Sequence, residues 1–128
     1  MKKKVIVPKA FQRTYEKWHY ALAVESDGFL FVSGCTGTRR DGTNSDDPKE
    51  QFEQAFLNVK AALDEAELTF DDVVDMITYH VGLQGHLNDF KEIKDQFIKE
   101  PYPAWTAVGV TELAVPGAII EVKVTAKR

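Results

Sequence analysis

The sequence predicts an α+β subunit, a mixed β-sheet with two helices packed on one of its faces, and three observations carry that reading. Between residues 52 and 66 apolar side chains recur at threes and fours, the period of one helical face. Between residues 118 and 126 apolar and polar residues alternate, the period of a strand with one face in a core. The segments around these two complete the order strand, strand, helix, strand, helix, strand, strand, which layers helices on a sheet. With 128 residues, 44% of them hydrophobic, the chain reads as one domain over 1–128. It is long enough to bury roughly two-thirds of its unfolded surface without disulfide staples.

Taken in order, Lys2, Lys3 and Lys4 after Met1 read as a solvated strand start with no function of their own. Tyr20–Glu25 and Phe29–Ser33 are strand-like runs split by Ser26, Asp27 and Gly28, turn residues that make the pair a hairpin. Thr36–Asp47 is rich in Gly, Thr, Asp, Asn and Ser, carries Arg39 and Arg40, and reads as a long surface loop.

The first helix starts at Pro48, whose missing N–H suits a first turn. Asp47 is placed to cap it and Glu50 completes a box-like start. Phe52, Ala55, Phe56, Val59, Ala62, Leu63 and Ala66 form its buried stripe, with Lys49, Gln54, Lys60 and Asp64 outside. Val73–Val81 is β-branched and aromatic and reads as a buried strand after the Phe70-Asp71-Asp72 turn. A shorter helix follows, capped by Asn88 or Asp89, striped by Phe90, Ile93 and Phe97, and stopped before Pro101 and Pro103. Trp105–Val110 and Ala118–Ala126 close the sheet, joined through Pro116 and Gly117, with Ile120, Val122, Val124 and Ala126 on the core side of the last strand. Two helices on one side leave the other face bare. Val24, Phe31, Tyr79 and Val108 are too apolar to stand in water as a patch, so oligomerisation through the sheet is expected.

Composition excludes several classes of function. Sixteen Lys and Arg against twenty Asp and Glu give a formal net charge of −4, the wrong sign for a dedicated nucleic-acid binder. Apolar runs such as Phe29–Val32 fall far short of the roughly 20 residues of a membrane span. No signal-peptide core follows the basic start, so a cytoplasmic protein is expected. Cys35 is the sole cysteine, which rules out an internal disulfide and a Cys-based zinc site within one chain. His19, His80 and His86 lack ligand spacing and read as capped or surface imidazoles, so neither a metal nor a cofactor is expected.

The candidate chemical residues are few. Ser33 ends a strand before Gly34, where turn hydrogen bonding competes with a nucleophilic role that no GxSxG elbow supports. Cys35 is reactive only if a cation such as Arg39 or Arg40 lowers its pKa, and is otherwise a small filler. Glu121, flanked by Ile119, Ile120 and Val122, must face solvent beside Lys123, a cation, or a pocket water. Trp105 at a strand start fits either a core or the wall of a flat ligand site, and Tyr20 completes the set.

Six segments in one order then carry a resemblance: Phe31-Val32-Ser33-Gly34, Asn58-Val59-Lys60-Ala61-Ala62-Leu63, Phe70-Asp71-Asp72-Val73-Val74, Leu87-Asn88-Asp89-Phe90, Pro103-Ala104 and Ile120-Glu121-Val122. From Tyr20 to Ala126 the chain resembles the Rid (YjgF) family of reactive-intermediate deaminases. The resemblance implies a chorismate-mutase-like subunit and a homotrimer with pockets at the subunit interfaces. In active members those pockets hydrolyse 2-aminoacrylate and related imines to 2-keto acids and ammonia without a cofactor. Carried over by motif, the water-positioning glutamate is Glu121, the pocket serine Ser33 and the pocket tyrosine Tyr20.

Two positions depart from the family. Active members read Pro-Ala-Arg-Ser where this chain reads Pro103-Ala104-Trp105-Thr106, so Trp105 replaces the arginine that grips the substrate carboxylate. Cys35 replaces the glutamine that commonly follows the Ser-Gly pair. The resemblance therefore implies a pocket lined by Trp105, Glu121, Ser33, Tyr20 and Cys35 for a small neutral, cationic or aromatic metabolite, bound with or without hydrolysis. Two alternatives stand beside it: a standard imine deaminase in which Arg39 or Arg40 replaces the clamp, and a non-catalytic ligand-binding regulatory protein. Some relatives are described as endoribonucleases or translation inhibitors, but the acidic charge and the lack of a basic-aromatic stripe argue against RNA as the main partner.

Overall fold

A computed structural model describes residues 2–128; Met1 of the basic tip lies outside the described residues. Strand β1 (Lys4–Ile6) pairs antiparallel with β2 (Ala23–Ser26), and β2 with β3 (Phe29–Val32). Asp27 and Gly28, at φ 53° and 80°, make the two-residue turn in which both central residues take positive φ, the geometry that matches strand twist and that Asp-Gly favours. Strand β4 (Cys35–Thr36), β5 (Val73–Val81), β6 (Ala104–Val110) and β7 (Ile120–Lys127) complete one seven-stranded sheet. Its path is β1-β2-β3-β7-β5-β6, with β4 added to the free edge of β7 beyond β3. Only β5 and β6 pair in parallel, as a helical crossover requires, so the sheet is mixed as expected.

Helix α2 (Pro48–Glu65) and helix α3 (Leu83–Phe97) cover one face. The expected stripe of α2 from Phe52 to Ala66 is buried throughout, and its Phe56 stacks on Phe97 of α3 at 5.0 Å between ring centres. Ile120, Val122, Val124 and Ala126 of β7 face these helices, with Leu30, Val32, Val73 and Met76 beside them. A bulge at Val74 shifts the register of β5, so that Val73 reaches the core and the even-numbered Met76, Thr78 and His80 follow it there.

The structure corrects four details. Helix α1 (Gln12–Trp18) and the 3-10 turn before it were not anticipated, and neither was the short strand β4; none of the α1 side chains is buried, so no apolar stripe marked the helix in the sequence. Asp47 does cap α2 through the N–H of Lys49, but the Asp47 N–H is taken by Ser45 Oγ, so Glu50 closes no box and instead accepts from Ser45. Helix α3 starts at Leu83, not at Asn88 or Asp89. Gly82, at φ 75°, reverses the chain directly out of β5, which leaves the two expected caps inside the helix. The loop over 37–47 is anchored by α2: buried Asn58 donates to the carbonyls of Thr36 and Thr38, and buried Gln51 to those of Ser45 and Gly117. Among the described residues no helix is long and apolar enough to cross a membrane.

Candidate functional site

The second sheet face carries no helix. Register places Val5, Val24 and Phe31 side by side on it, with Thr125 next to Phe31, and Thr36, Glu121, Tyr79 and Val108 in another row. Phe31 keeps 46% of its surface exposed and Val108 37%. This is the bare apolar face that the sequence anticipates, and Glu121 stands on it.

The carboxylate of Glu121 lies where β3 gives way to β4. Ser33 and Gly34 form that break, and Gly34 leaves room for the carboxylate: a methyl group on it would overlap Glu121 Oε2 and sit 2.7 Å from the carboxyl carbon. Burial holds the Glu121 pKa above the ordinary carboxylate range, against the opposing pull of Lys123. Tyr20 is near enough for its phenol pKa to be raised, first by burial and then by Cys35 and Glu121. Ser33 Oγ donates to the carbonyl of Ala21 at 2.7 Å, the turn role that competed with nucleophilicity. Lys123, two residues along β7 from Glu121, donates from Nζ to the carbonyl of Val32 at 2.9 Å.

Two expected members of the set lie elsewhere. The Cys35 side chain, paired in register with Val122, is buried among the core residues, its thiol donating to Ser33 O at 3.3 Å. Desolvation, reinforced by Glu121, pushes the thiol pKa up to about 12, so it is not a nucleophile at neutral pH. Trp105 pairs with Met76 on the helix-covered face, opposite to Glu121. Its indole N–H donates to Thr78 Oγ1 at 2.9 Å, its ring packs on Phe90, and Lys94 Nζ sits 5.0 Å from its centre. Within one protomer Trp105 and Glu121 are not brought together. The loop arginines are also engaged away from Glu121, Arg39 with Thr43 and Arg40 over the ring of Phe11.

Beside Trp105 lies a network the sequence reading missed. His80, fully buried, meets Thr78 Oγ1 at 2.7 Å through Nε2 and His86 Nε2 at 3.1 Å through Nδ1. One proton assignment uses every hydrogen between them: Trp105 N–H to Thr78, Thr78 O–H to His80, and His80 N–H to His86. Desolvation, with His86 adding to it, lowers the His80 pKa to about 4, so His80 is a neutral partner rather than a charge. Only the six-residue spacing of the two histidines across a strand and a helix start could have signalled this. Among the described residues no group of three or more His, Cys, Asp or Glu is placed to hold a metal ion.

The family model described as Endoribonuclease L-PSP matches residues 12–128. The chain is 40% identical over 123 residues to the RutC family protein YjgH of Escherichia coli K12, covering 95% of this chain and 92% of that one. A solved structure of a protein named YjgH superposes with a TM-score of 0.90 at 38% identity over 99% of this chain and 97% of the other. A 2-iminobutanoate/2-iminopropanoate deaminase of Dermatophagoides farinae is 30% identical over 99 residues, 73% of this chain and 74% of that one.

Proposed function

The chain belongs to the Endoribonuclease L-PSP family, the RutC or Rid (YjgF) proteins, and from that premise we propose that it is a homotrimer whose interface sites bind and hydrolyse a small imine. The observation that carries the reading is the half-buried Glu121 carboxylate, seated against Gly34 beside Ser33 and Tyr20 on the one sheet face free of helices. Water adds to the carbon of a C=N bond as Glu121 takes its proton. Return of that proton to nitrogen gives a carbinolamine, and transfer of its hydroxyl proton to nitrogen through the same carboxylate breaks the C–N bond and releases ammonia and a carbonyl compound, with no oxidant or reductant consumed.

Trp105 has its only N–H committed to Thr78, so it offers ring surface rather than a hydrogen bond. Set on the edge strand β6, it suits the wall of a pocket shared with a neighbouring protomer. A small-molecule site is favoured over RNA because the apolar Val24, Phe31 and Val108 surround Glu121's face, where a phosphate backbone would need cations.

The test is ammonia release from freshly generated 2-iminopropanoate and 2-iminobutanoate by protein of measured oligomeric state. Wild type is expected to accelerate release, and Glu121→Gln to lose about a hundredfold or more of that acceleration while folding normally. A wild type that is inert on all imines, or a fully active Glu121→Gln, overturns the reading.

A further inference from the structure

We infer that Lys123, in place of an arginine, is the cation that anchors the substrate's carboxylate on the Glu121 face; the inference rests on the small-molecule site proposed above. Strand geometry puts the side chains of Glu121 and Lys123 on the same face, about 6.6 Å apart along β7. Both converge on one gap. Strand β3 stops pairing with β7 at Phe31–Thr125 and β4 resumes at Cys35–Val122, so neither strand pairs with Lys123, which lies between them. The ammonium enters this gap from one side, on the carbonyl of Val32, and the Glu121 carboxylate from the other, against Gly34.

The two charges do not form an ion pair. Among the described residues the ion pairs are Lys49–Glu92, Lys60–Asp64, Lys94–Asp95 and Arg128–Glu25, so Lys123 holds a half-buried ammonium with a single carbonyl tether and two hydrogens left over. A half-buried charge with spare donors on an apolar face is costly until an anion meets it. The other cations weighed for this role are held elsewhere, Arg39 by Thr43 and Arg40 over Phe11, while Lys94 lies behind the sheet. A 2-imino acid has its carboxylate one bond from the electrophilic carbon. With the carboxylate on Lys123, that carbon falls between the ammonium and the water held by Glu121. An anchor at this place also frees Trp105 from any need to grip a charge.

The experiment compares wild type, Lys123→Met and Lys123→Arg on 2-iminobutanoate and on 2-iminobutane, in which a methyl group stands for the carboxylate. Circular dichroism and melting establish that each variant is folded. Lys123→Met is expected to raise KM for 2-iminobutanoate about tenfold or more, with kcat little changed and 2-iminobutane unaffected, and Lys123→Arg to recover most of the loss. An unchanged KM in Lys123→Met, with an active wild type, overturns Lys123 as anchor and leaves the hydrolase reading standing. If wild type hydrolyses neither compound, the hydrolase reading falls, and Lys123 is then judged by titration with 2-ketobutanoate. Binding to wild type that Lys123→Met weakens about tenfold upholds the anchor; equal binding, or none to wild type, overturns it.

Discussion

Glu121 illustrates how one position becomes chemical through its neighbours. An acidic residue inside an apolar strand is visible in the sequence, and so is its alternation with Lys123. What the sequence does not display is the break between β3 and β4 that brings Gly34 against the carboxylate, because a non-local strand register decides it. The same register separates residues that motif order had grouped: Cys35 turns into the core and Trp105 to the far face, since one residue of offset along a strand reverses the side a side chain takes. A consequence follows for acid–base behaviour. A general base works only when ionised, and burial raises the Glu121 pKa, so the acid limb of the kcat/KM profile is expected above the ordinary glutamate value of about 4.3. Gly34→Ala displaces the carboxylate, whose flexible end must yield to the added methyl. The variant is expected to stay folded and to lose activity about tenfold or more, as misplacement of a catalytic group does. Undiminished activity in Gly34→Ala would show that the contact does not position Glu121.

Among the elements, those with a strong period were legible and those without were not. Helix α2 and strands β5 and β7 announce themselves because each buries a regular set of side chains. Helix α1 buries none, and the start of α3 is set by a left-handed glycine rather than by a side-chain cap. The attachment of α3 to the sheet likewise depends on polar contacts that no periodicity reveals, the line from Trp105 through Thr78 and His80 to His86. This attachment carries a pH dependence whose sign can be worked out. With a folded pKa of about 4 against an ordinary value of 6.5, His80 stays neutral in the fold while the unfolded chain takes up a proton. Stability contributed by the neutral imidazole is therefore complete above pH 6.5, falls as pH drops through the interval, and loses nothing further below about 4. His86 on α3, its own pKa lowered by burial and pulled back by Asp89, faces the same ring. Melting temperatures of wild type and His80→Gln between pH 7 and pH 4 separate this effect from the carboxylates common to both. The wild type is expected to have the steeper decline, and parallel curves would remove His80 as its cause.

For the whole molecule the deciding feature is the face without helices. A sheet covered on one side leaves Val5, Val24, Phe29, Phe31 and Val108 facing outward, and burying such a patch stabilises an assembly by about 25 cal/mol per Å² of apolar surface. Phe31 is the most exposed of these. It sits directly across from Val24 and Thr125, with the Phe29 ring 6.2 Å away, near the middle of the β1–β2–β3–β7 half of the sheet. The proposed trimer would cover it, and a carboxylate placed there would have to be desolvated without a partner. Wild type is accordingly expected to run in light scattering at three times the 14.4 kDa of the chain, and Phe31→Glu at the mass of one chain with an unchanged circular dichroism spectrum. Because Trp105 and Glu121 lie on opposite faces of one protomer, a site that uses both needs a neighbour to supply one of them. Hydrolysis and assembly should therefore be lost together in Phe31→Glu. A folded monomer that keeps full activity would place the whole site within a single chain and remove Trp105 from it. A Phe31→Glu protein that remains trimeric would move the interface to another surface.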